Sequence, residues 1–239
     1  YIYMSGTWGR VNAGSEDGAA YLLQVAAPSA DSNIDGIRQY ISPVNYGNTD
    51  LGAVPGQAGG APAGTSSVTD GFDYDQDVTG TAEKLTYLSP NFNGFQLGAS
   101  YTFDIGDTNS ADNVATGFNT DDAAGVFGSA YEVAGRYEGV FNNIGFAFGA
   151  GYTHINVEED SVAQPDDFVE WNVGLDLDIG AFGLGAIYKD TDDGDASQEN
   201  AETWAIGGDY TTGPFKFGAS YYAQDDETAV ATGELETER

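Results

Sequence analysis

A seven-residue pattern that occurs four times constrains this chain more than any other feature. It reads Phe95-Gln96-Leu97-Gly98-Ala99-Ser100-Tyr101, then FAFGAGY at Phe146–Tyr152, FGLGAIY at Phe182–Tyr188 and FKFGASY at Phe215–Tyr221. Side chains alternate across a strand, so each copy puts Phe, Leu or Phe, Ala and Tyr on one face and small or polar residues on the other. The rings sit at both ends of the apolar face. A strand crossing a bilayer needs amphipathic rings at those two places.

Each copy follows a partner strand and a short turn. Leu85–Leu88 leads into Ser89-Pro90-Asn91-Phe92-Asn93-Gly94, and Tyr131–Val140 leads into Asn142-Asn143. Trp171–Ile179 alternates without fault to Gly180, and Trp204–Tyr210 turns at Thr212-Gly213-Pro214. At the start, Tyr1–Ser5 and Arg10–Gly14 flank Gly6-Thr7-Trp8-Gly9. These are hairpin signals. Between hairpins lie longer stretches rich in Asp, Gly, Ser and Thr: Ser15–Ala82, Gly106–Ser129, Glu158–Phe168, Asp190–Glu202 and the tail from Gln224. Alternation of short turns with long loops predicts an all-β transmembrane antiparallel barrel of ten visible strands. Each strand would have roughly 9–11 residues. No apolar run approaches the roughly 18 residues of a membrane helix, which does not bear on a barrel.

A soluble β-sandwich, a β-solenoid or an acidic surface adhesin would also show short alternating strands. Such a sheet packs bulky side chains against a core. Here the face opposite the rings is Gly145, Ala147, Gly149 and Gly151 on one strand, and Asn172, Gly174, Asp176 and Asp178 on another. Those residues cannot build a core, but they can line water.

Charge narrows the function. There are 38 Asp and Glu against 7 Lys and Arg, a net charge of −31, which repels nucleic acid. The acid either solvates the surface or gathers divalent cations in loops. Cysteine is absent, so disulfides and thiolate chemistry are excluded.

The stretch Glu83–Tyr101, EKLTYLSPNFNGFQLGASY, resembles the Gram-negative general porins, most of all their alphaproteobacterial members. The opening YIYMSGTWGRVNAGSED, Tyr1–Asp17, resembles the strand pair those porins place before their third extracellular loop. The resemblance covers the whole chain, 1–239, as a single barrel domain. It implies an outer-membrane barrel of sixteen strands, of which the ten would be the fifth to fourteenth. It also implies a homotrimer, short periplasmic turns, long extracellular loops and a third loop folded inward, here 15–82. On that pattern the chain is expected to be an internal fragment: no signal peptide precedes Tyr1 and no aromatic residue ends it.

A charge facing lipid costs about 2–4 kcal/mol near the midplane, so strand charges are expected to face the lumen. By alternation the inward set is Arg10, Lys84, Asp104, Glu132, Arg136, Glu138, Asp176, Asp178, Lys189, Asp209 and Lys216. In the family, acids on the inward loop face bases on the wall and set a transverse field. The resemblance therefore points to Asp31, Asp35 and Arg38 on the loop. The wall candidates are Arg10, Lys84, Arg136, Glu132 and Asp104. A short helix is expected at Ala19–Ala27.

No cofactor is required, although Ca²⁺ in acidic loops is a further expectation. Asp73, Asp75 and Asp77 carry the spacing that opens an EF-hand loop, yet Val78 stands where Gly belongs. Asp192, Asp193 and Asp195 form a second acidic cluster. His154, the sole histidine, has no partner set for a transition metal and no evident serine, so no enzyme is expected. Passive diffusion of ions and small hydrophilic solutes, with mild cation preference, is the expected function. Its partners would be the bilayer and lipopolysaccharide. A structural or adhesive barrel bridged by Ca²⁺ is the alternative.

Overall fold

The computed structural model describes residues 1–25, 75–80, 82–105, 125, 127–159, 166–194, 198–228 and 235–238. Among these, one antiparallel sheet of eleven strands runs in strict chain order. The strands are β1 (Ile2–Gly6), β2 (Gly9–Ser15), β3 (Glu83–Leu88), β4 (Phe95–Thr102), β5 (Phe127–Phe141) and β6 (Ile144–Val157). They continue as β7 (Phe168–Ile179), β8 (Phe182–Asp192), β9 (Gln198–Thr212), β10 (Phe215–Thr228) and β11 (Leu235–Glu238). One short helix, α1 (Ala19–Leu23), follows β2. The sheet is open, with β1 and β11 at its edges.

Turn chemistry explains the hairpins. Asn142 and Asn143 join β5 to β6 with φ of 49° and 64°, the doubly left-handed backbone of a type I′ turn. Gly180 and Gly213 open the two-residue turns after β7 and β9, also at positive φ. Such turns match the strand twist and fix the register, so no residue slips to the wrong face.

Strand ends at the loop side differ from the expectation. The tail from Gln224 continues β10 to Thr228 and returns as β11. The Asp190–Glu202 stretch lies partly in β8 and β9, with Asp190 opposite Glu202, and β5 already begins at Phe127. These ends carry Asp, Glu and Thr, so the apolar alternation fades while the backbone ladder continues. Alternation detects lipid contact, not hydrogen bonding.

Burial is inverted relative to a soluble protein. On β4, Phe95, Leu97, Ala99 and Tyr101 are exposed, while Gly98, Ser100 and Thr102 are buried. Phe148, Leu175, Leu184 and Ile206 remain 40–50% exposed in mid-strand. The largest fully buried side chains include Lys84, Gln76, Glu132, Glu170, Asn12 and Asn172. A continuous apolar belt of this kind is stable against hydrocarbon, not against water.

Rings pair along both margins of the belt. Trp171–Tyr188 (5.3 Å) and Trp204–Tyr221 (5.1 Å) flank the loop ends, and Phe95–Tyr137 (4.6 Å) and Phe182–Tyr210 (4.8 Å) flank the turns. The small apolar core, Ala130, Ile155 and Phe168 with Val78, Ile105 and Phe127, sits at the loop end.

Candidate functional site

Two limbs of the 15–82 segment lie on the polar face of the sheet: α1 with Gln24 and Val25, and residues 75–80. The wall beneath them is smooth because it is built from small residues. A Cβ at Gly149 would stand 2.9 Å from the Val25 nitrogen, and one at Gly174 would overlap the Val25 carbonyl. A Cβ at Gly151 would overlap the Gln76 side chain. The glycines of the alternating pattern are thus a seat for backbone. Ala19 and Ala20 on α1 are fully buried, and a Cβ at Gly98 on β4 would stand 3.0 Å from the Ala19 Cβ.

Two wall lysines hold the return limb. Lys84 on β3 is 1% exposed and donates to the Thr79 hydroxyl (2.9 Å), the Thr79 carbonyl (3.3 Å) and the Gly80 carbonyl. The Thr79 hydroxyl in turn donates to Glu132 on β5 at 3.2 Å. Lys189 on β8 donates to the Asp75 carbonyl at 3.1 Å and lies 3.4 Å from Glu170 on β7. Glu170 also accepts from the Thr191 hydroxyl at 2.9 Å. Gln76 is fully buried and donates to the Thr153 hydroxyl (3.1 Å) and the Glu170 carbonyl (2.9 Å).

Turnwards of this latch the described residues of the 15–82 segment reach the polar face only as far as Arg136, whose guanidinium meets the Gln24 carbonyl. Arg136 on β5 pairs with Glu138, and Lys216 on β10 lies 3.2 Å from Asp209 on β9. Asp176 and Asp178, two apart on β7, form no ion pair among the described residues. Arg10 on β2 donates to Asn12 at 2.6 Å, and its guanidinium lies 4.5 Å from the Tyr3 ring centroid.

The expected site residues therefore divide. Arg10 and Arg136 stand on the polar face turnwards of the latch, Arg136 against the Gln24 carbonyl. Lys84 and Glu132 stand on the same face but beneath the latch. Asp104 lies just beyond β4, off the wall strands, and is half-buried. Asp31, Asp35 and Arg38 lie outside the described residues, as do Asp73 and Asp195. Asp75 accepts from the Gln24 amide, and Asp192 accepts the Gly194 N–H within its own turn. Asp77 caps the turn to Gly80 through its carbonyl, and Asp193 is half-buried with a partner of its own. Among the described residues no group of three or more Asp, Glu or His converges as a metal site. His154 sits at the loop end on the aromatic face, stacked on Tyr131 at 4.7 Å and 3.2 Å from Asp167.

Sequence reasoning did not single out Glu170, Gln24 or Gln76. Glu170 was within reach, being one step further along the alternation that contains Asn172, Gly174 and Asp176. Gln24 and Gln76 lie in irregular backbone, where no periodicity marks which face a side chain meets.

An open meander, an apolar aromatic-belted face and a polar face clamping its own loop define a membrane β-barrel wall. The Gram-negative porin family matches residues 1–238, and the chain belongs to that family. No individual curated protein matches it.

Proposed function

We propose that the protein forms a water-filled channel across the outer membrane for passive diffusion of ions and small hydrophilic solutes, with weak cation preference. One observation supports the preference: both buried lysines are consumed by the latch. Lys84 and Lys189 serve Thr79, Gly80 and Asp75, and their charges are matched by Glu132 and Glu170. Solutes then meet Arg10, the Arg136–Glu138 and Lys216–Asp209 pairs, and Asp176 and Asp178, whose carboxylates form no ion pair among the described residues. A wall with that balance favours cations.

The 15–82 segment is the constriction, and the pore works as a homotrimer. Transport of this kind requires no catalytic group. The test is the reversal potential in a KCl gradient across a planar bilayer, with stepwise openings in threes for the trimer. Cation preference that shrinks in Asp176→Asn/Asp178→Asn is expected. Anion preference in the unaltered protein would refute the selectivity, and inserted protein that passes no current would refute the channel.

A further inference from the structure

The latch has a centre that neither the wall charges nor the family match identifies. Gln24, immediately after α1, touches four partners on three parts of the molecule. Its side-chain oxygen accepts the Gln76 N–H at 3.0 Å and the Asn172 amide at 3.2 Å. Its side-chain nitrogen donates to the Asp75 carboxylate. Its backbone carbonyl accepts from Arg136 at 3.1 Å.

We infer that Gln24 is a positioning residue that ties the descending and returning limbs of the 15–82 segment to each other and fixes Arg136 in the channel. The inference rests on the channel reading and deepens it. Arg136 is held in one plane because Glu138 takes Nε (2.8 Å) and Nη2, while the Gln24 carbonyl takes Nη1. Among the described residues this guanidinium is the wall cation outside the latch that touches the loop limb, so its placement sets the field there. Moving Gln24 moves the loop limb and this charge together.

Chemistry at the tie is directional. An amide at position 24 presents a donor to the Asp75 carboxylate and an acceptor to Gln76 and Asn172. Gln24→Glu keeps the acceptors but turns the donor into an oxygen facing a carboxylate. Asp75→Asn alone keeps an oxygen that accepts from the Gln24 amide, so it serves as the control that leaves the tie intact. Combined, Gln24→Glu/Asp75→Asn restores one donor and one acceptor with the polarity reversed and the net charge unchanged.

The experiment uses the full chain in planar bilayers, read as open-channel conductance and current noise, alongside amide hydrogen exchange of the same protein in detergent. Gln24→Glu is expected to raise open-channel noise and to lower protection of the Asp75–Gly80 amides by at least about tenfold, and Asp75→Asn to disturb both far less. The double variant is expected to restore both. A Gln24→Glu variant that matches the unaltered protein in noise and protection overturns the inference. So does a folded double variant that restores neither, because a merely structural role has no reason to respond to reversed polarity. Should the unaltered protein pass no current, the channel reading fails while exchange still decides the tie.

Discussion

Alanine at the wall glycines should act as a graded wedge under the loop. At Gly149 the new Cβ would lie 2.9 Å from both the Val25 nitrogen and its Cγ2, where ordinary contact begins at 3.4 Å. The limb must therefore retreat by about 0.5 Å, and one of the obstructing atoms is backbone, which no rotamer change relieves. At Gly174 the obstruction is the Val25 carbonyl itself and the overlap is larger. At Gly145 the nearest atom is the Asp178 Cβ at 3.2 Å, on the wall and away from the loop. Overpacking of this kind costs about 1–3 kcal/mol. The expected order of disturbance is Gly174→Ala above Gly149→Ala above Gly145→Ala. It should appear both in single-channel conductance and in the midpoint of thermal unfolding in detergent. The conductance change reports displacement of the limb and the midpoint reports the strain. If Gly174→Ala matches the unaltered protein in both assays, or Gly145→Ala is the most disturbed, the limb is not seated on these glycines.

Three further outcomes follow from the same structure. Lys189→Met leaves Glu170 buried with only the Thr191 hydroxyl, and should cost about 3–5 kcal/mol in a thermal melt. Lys189→Met/Glu170→Leu should recover most of that, and a single variant as stable as the parent would discount the buried pair. Asn142→Val places a β-branched residue at φ 49° and should destabilise by about 1–2 kcal/mol, whereas Asn142→Gly should be neutral or better; equal stabilities would argue against the turn geometry. Chelating divalent cations with EDTA should leave single-channel conductance unchanged, since the described latch is held by lysines and amides; a drop in conductance would show that a cation holds the loop.

The sequence by itself determined the wall. Alternation with period two assigns every strand residue to a face, and lipid on one side makes that assignment legible as Phe, Leu and Tyr against Gly, Ser and Asp. Turn residues such as Asn142-Asn143 and Gly213-Pro214 then set the hairpins, and the same alternation puts Arg10, Arg136, Asp176 and Asp178 on the polar face. What alternation could not reveal was which of those inward groups meet water. Lys84, Glu132 and Lys189 share the face of Arg136, yet they are buried because residues 75–80 lie across them. That choice depends on contacts between segments far apart in sequence, in backbone of no fixed period. The partners of Gln24 and Gln76, and the use of the glycines as a seat, exist only once the loop folds back onto the sheet. Strand ends rich in Asp and Glu escaped the sequence reading for a related reason: beyond the lipid belt nothing selects apolar residues on one face, so only the hydrogen-bonded ladder shows that the strand goes on.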